Sequence, residues 1–151
     1  MRNASASLQT IATAQFDFRD NDRDGNGKRD FWRADIASLC FLSPDGKPIK
    51  LIEPSVALAD AAPLEAPPPE WGAPGPKAGF RFRTLRLAGE SSADPNRFAA
   101  CAFPELYESG RQGTYIIAGH DLAVYKKDLG PNGSLDAYPA DPLREGWEKL
   151  D

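Results

Sequence analysis

Histidine is nearly missing from this chain. His120 is the only one among 151 residues, so a metal centre built from several imidazoles has no second ligand to draw on. Its place between Gly119 and Asp121 reads as a solvated turn residue, not as a catalytic base. Cysteine is scarce as well. Cys40 and Cys101 lie far apart and match no zinc or redox spacing, which leaves a disulfide and two buried thiols equally open. No run of about 18 apolar residues occurs, so no segment reads as a bilayer span, and the start Met1-Arg2-Asn3 lacks the apolar stretch of a signal peptide. Basic charge is in deficit: 18 Lys+Arg face 22 Asp+Glu, a net charge of -4 that gives no overall pull toward nucleic acid or an acidic membrane.

What is present is ordinary globular material, with 41% hydrophobic and 26% charged residues, enough to build one cored domain over residues 1–151. Ala4, Leu8, Ile11 and Phe18 recur at three- and four-residue steps without Gly or Pro between them. This spacing predicts an amphipathic helix over residues 1–19, capped by Asn3 or Ser5, with Ala12 and Phe16 widening its apolar stripe. Phe31 to Leu42 reads as a second, shorter helix that Asp30 or Asp35 would cap, and Pro44-Asp45-Gly46 as a turn. Pro54 to Leu64 is Ala-rich, with room for a helical turn or two. Residues 63–76 are too rich in Pro and Gly for helix or sheet and read as a long surface loop pinned by Trp71.

Between residues 79 and 130 the character changes. Phe80 to Arg83, Phe98 to Phe103, Tyr115 to Ile117 and Leu122 to Tyr125 are short β-type runs divided by turn formers, the last two joined as a hairpin across Gly119-His120-Asp121. The expected fold class is α+β: an N-terminal amphipathic helix packed on a small antiparallel sheet, with residues 131–151 as a C-terminal tail whose Trp147 and Leu150 pack back on the core. Arg81, Arg83 and Arg86 beside Phe80 and Phe82 read as the solvent side of a strand rather than a nucleic-acid surface. Asp94, Glu105 and Glu108 have no spacing that marks an acid–base pair. The sequons at Asn3 and Asn132 are too short a motif to carry a function. The chain carries no recognisable catalytic machinery.

One segment does carry chemistry. In residues 20–30, oxygen side chains fall at alternate positions, Asp20, Asp22, Asp24 and Asn26, with glycines at 25 and 27. Alternate carboxylates in a curling loop converge on one point, and a hard cation such as calcium takes six to eight oxygens, so the spacing predicts a calcium loop. Two registers fit. With Asp20 first, Asp22 and Asp24 follow, Gly25 turns and Asn26 gives its carbonyl. With Asp22 first, Asp24 and Asn26 follow, Gly27 turns, Lys28 gives its carbonyl and Asp30 closes the set; this register is preferred, with Asp20 as an added ligand. Neither supplies the bidentate Glu at the twelfth position, which is Phe31 or Arg33. The loop is thus an abbreviated one, suited to a structural calcium ion rather than a sensor.

The stretch Asn3-Ala-Ser-Ala-Ser-Leu-Gln-Thr-Ile-Ala-Thr-Ala-Gln15 resembles the exposed half of the long first helix in bacterial type IV pilin-like proteins and type II secretion pseudopilins. Cys101 to Tyr107 and Val124 to Gly130 resemble the C-terminal halves of secreted bacterial relatives of that kind. The resemblance implies an extracytoplasmic structural subunit, partnered by like subunits or other pilin-like proteins in a filament and tied to the membrane only through an N-terminal helix absent from this sequence. A secreted calcium-dependent binding protein that never polymerises is the alternative.

Overall fold

The computed structural model describes residues 4–62, 72–87, 96–107, 113–131 and 133–150. Asn3, Trp71, Asp94, Glu108, Asn132 and most of the Pro-rich loop lie outside the described residues. Helix α1 spans Ala4–Asp20, and two single-turn helices follow, α2 at Ser38–Phe41 and α3 at Pro54–Ala57. Six strands come next: β1 Phe80–Leu87, β2 Ala99–Pro104, β3 Thr114–Ala118, β4 Asp121–Lys127, β5 Ala137–Tyr138 and β6 Glu148–Leu150. They form one sheet in the order β5-β1-β2-β3-β4-β6.

The expected helix on a small antiparallel sheet is therefore corrected. The chain is mostly a curled, mixed half-barrel sheet of six strands with one long N-terminal helix. It is mixed because β5 runs parallel to β1, pairing Ala137 with Arg86 and Tyr138 with Leu87, while the other pairs are antiparallel. The physical reason lies in the side-chain alternation. Phe82, Phe98, Ala100, Ala102, Ile117 and Val124 face α1, but the intervening Leu85, Leu87, Ala99, Cys101, Ile116 and Tyr125 are equally apolar and form a second core on the far face. A sheet apolar on both faces needs cover on both. The segment read as a tail supplies it, since Tyr138 and Trp147 are buried in that second core and β5 and β6 extend the sheet at either end.

The other departures are local. The helix expected from Phe31 to Leu42 shrinks to α2, because the backbone N–H groups that would begin it bond to carboxylates: Ser38 N–H to Asp35, and Ile36 and Ala37 N–H to Asp60. Ser5 lies inside α1, not at its cap. β3 and β4 turn through Gly119 and His120, where a Cβ on Gly119 would stand 2.7 Å from the Phe98 ring. Cys40 and Cys101 are free, buried and in different core clusters; burial lifts their thiols to about 11 and about 12. Among the described residues no helix is long and apolar enough to cross a membrane.

Candidate metal centre at the exit of the first helix

Helix α1 ends because Asp22 adopts the left-handed conformation, with φ 45°, a role usually left to glycine and open to Asp because its short side chain bonds locally. The last turn closes through Asn21 N–H to the Asp17 carbonyl at 3.1 Å and Arg23 N–H to the Phe18 carbonyl at 3.1 Å. Gly25 and Gly27 continue the curl at φ 67° and 79°.

Both ends of the loop are clamped. The Gln15 side chain donates to the Trp32 carbonyl at 2.6 Å and accepts the Trp32 N–H at 2.9 Å. Gln15 is buried, at the position that completes the stripe Leu8, Ile11, Gln15, Phe18 on α1. Phe31 packs edge-on against Phe16 and Phe98, at centroid distances of 5.4 and 4.8 Å, with the Arg19 guanidinium 4.9 Å from its centroid. Asp17 accepts from Arg23 at 2.7 Å. Replacing Gln15 with Ala leaves the half-buried Trp32 N–H and C=O without these partners and opens a cavity; unfolding in urea should show a loss of about 2–4 kcal/mol.

Within the clamps, Asp22 Oδ2 accepts the Gly27 N–H at 2.9 Å. Asp24 accepts the Asn26 backbone N–H at 3.4 Å and its side-chain amide at 2.9 Å, and Asn26 Oδ1 accepts the Lys28 N–H at 2.8 Å. These bonds draw Asp22, Asp24, Asn26 and Lys28 into one turn. Partial burial pushes the Asp24 carboxyl above its ordinary value, reinforced by the neighbouring Asp22 carboxylate and by the charge of Asp30, and opposed by the Asn26 N–H. Two ionised carboxylates within reach of each other repel. Asp22 Oδ1 is shielded from solvent and has no hydrogen-bond partner.

Asp20 is placed differently. It is exposed and pairs with Arg19 at 3.2 Å, away from this turn. Lys28 is exposed and Asp30 half-buried. Among the described residues, no three His, Cys, Asp or Glu side chains stand in an arrangement that could hold a metal ion. The donor chemistry nevertheless suits a hard cation: the orphaned oxygen of Asp22, the carboxylates of Asp24 and Asp30, the Asn26 amide oxygen and the Lys28 carbonyl are all oxygens.

Elsewhere, the His120 ring packs edge-on against Tyr138 at 5.5 Å, and Asp121 accepts the Tyr125 hydroxyl at 2.5 Å, a bond that lowers the Asp121 carboxyl and lifts the Tyr125 phenol to about 12. Arg81 is bound to Glu105 at 2.5 Å and Arg83 to Asp136 at 2.8 Å, so two of the three strand arginines are ion-paired. Sequence reading passed over Gln15 and Asp60. Their signal was a polar residue at a position of the α1 stripe and a lone carboxylate within the small apolar run Val56 to Ala62.

No family model, no curated protein and no solved structure matches the chain.

Proposed function

We propose that this chain is a non-enzymatic, extracytoplasmic structural subunit in which a calcium ion held between Asp22 and Asp30 fixes the exit of helix α1. The observation that carries the metal reading is the shielded, unpartnered Asp22 Oδ1 beside the Asp24 carboxylate, in a loop already bent around them. Asp22, Asp24, Asn26, the Lys28 carbonyl and Asp30 would hold the ion in the register that starts at Asp22, which leaves Asp20 outside. The ion would supply charge compensation, and the chain's own clamps at Gln15 and Phe31 would carry that rigidity to the base of the helix. No reacting group is needed for this role.

The subunit reading is supported by the residue-level resemblance of Asn3–Gln15 to pilin-like proteins and by the lack of any charged residue from Ala4 to Phe16, over which α1 exposes Gln9, Thr10 and Thr13. Fractionation of the native cells followed by chemical cross-linking tests it. The chain should appear outside the cytoplasm, linked to like subunits. Recovery as an uncross-linked cytoplasmic protein would remove the subunit reading and leave the metal reading to its own test.

A further inference from the structure

We propose that Asn26 is a self-deamidation site, at which the loop's own groups convert the side-chain amide to a carboxylate. Asn26 is followed by Gly27, and both are exposed. A Cβ built on Gly27 would meet nothing within 4 Å, so the peptide that follows Asn26 is uncrowded on that side. The reaction joins Gly27 N to Asn26 Cγ and breaks the Cγ–Nδ2 bond, releasing ammonia and leaving a five-membered imide. Water then opens either C–N bond of the imide, giving aspartate or isoaspartate. The sum is amide plus water to acid plus ammonia, with no redox partner.

The loop already places groups that assist the imide-forming step. The attacking nitrogen must lose its proton, and Asp22 Oδ2 accepts that N–H at 2.9 Å. Negative charge develops on the amide oxygen, and the Lys28 N–H donates to Asn26 Oδ1 at 2.8 Å. The leaving nitrogen is held by Asp24 Oδ2 at 2.9 Å while it takes its proton from water. The bond from Lys28 N–H closes an Asx turn, which holds the Asn26 side chain against the backbone that follows it. This geometry requires no metal and does not rest on the calcium reading. Calcium on the same oxygens would engage Asp22 and fix the Asn26 amide, slowing the reaction. The product adds a carboxylate to the loop, or, as isoaspartate, a methylene to its main chain.

The test is peptide mass mapping of the full chain, incubated with chelator at neutral pH, in parallel with the same chain unfolded in urea. Asn132, also followed by Gly, serves as a clock in the same digests. Asn26 should deamidate about tenfold faster in the native chain than in the unfolded one, and Asp22→Asn should remove that advantage. A native rate equal to or below the unfolded rate overturns the proposal, and so does an unchanged rate in a folded D22N chain. Should D22N fail to fold, the native-to-unfolded ratio of the unsubstituted chain still decides. Added calcium separates the two readings: slowing supports both, whereas an unchanged fast rate keeps deamidation and counts against the metal.

Discussion

Calcium added to chelator-treated protein should raise its melting temperature by about 5–10 °C once the free ion reaches a hundredfold excess over its dissociation constant. Binding at that ratio stabilises the native state by about 2.7 kcal/mol, and a domain of this size gains about 2–4 °C per kcal/mol. The source of the effect is local. Without the ion, Asp24 sits beside the Asp22 carboxylate and feels Asp30, and Asp22 Oδ1 faces no donor. A bound ion would satisfy that oxygen and turn the repulsion into attraction. The loop ends are already pinned by the Gln15–Trp32 pair and by Phe31 in the core, so little chain entropy opposes binding. Magnesium, which demands a tighter octahedral shell, should give a smaller shift.

Asp60→Ala should cost about 3–5 kcal/mol, read from denaturant unfolding. The Asp60 side chain is only 2% exposed, and its two oxygens accept the N–H groups of Ile36, Ala37 and Ala62 at 2.8, 2.8 and 2.9 Å. Ala59 and Ala61 on either side bond to Phe82 in β1, at 3.0 and 2.7 Å. One carboxylate thus ties the start of α2 to the segment bridged to β1, and truncation leaves two buried donors and one half-buried donor without acceptors. Asp60→Asn should lose less, since the amide keeps one acceptor and the volume. Burial raises the Asp60 carboxyl above its ordinary 3.8, against the pull of the three N–H groups. A raised folded-state value means that the group's contribution is complete below 3.8 and is lost as pH rises through the folded-state value. The stability gap between the unsubstituted chain and D60N should therefore widen on acidification from neutral pH.

Long α1 was legible because its apolar positions follow the helical period, and the four central strands because short β-type runs stand between turn formers. The sheet's full extent was not. Ala137–Tyr138 and Glu148–Leu150 are too short to show a period, and they become strands only because Tyr138 and Trp147 cover the apolar far face of β1 to β4. That is a tertiary demand, invisible to a local window. The same holds for α2, shortened by Asp60, which lies more than twenty positions along the chain. At the candidate site, alternate carboxylates and glycines named the loop, and the fold separates its members: Asp22, Asp24, Asn26 and Lys28 share one turn while Asp20 pairs with Arg19. That Asp22, and not Gly25, makes the left-handed exit from the helix depends on a backbone conformation that no residue type dictates.

The most direct measurement is a calorimetric titration of calcium into the metal-free chain and into its D20N and D22N variants. One ion should bind per chain, D20N should bind it as the unsubstituted chain does, and D22N should bind it at least about tenfold more weakly. Equal loss in both variants, full binding by D22N, or no uptake by the unsubstituted chain at millimolar calcium would contradict a structural calcium site that begins at Asp22.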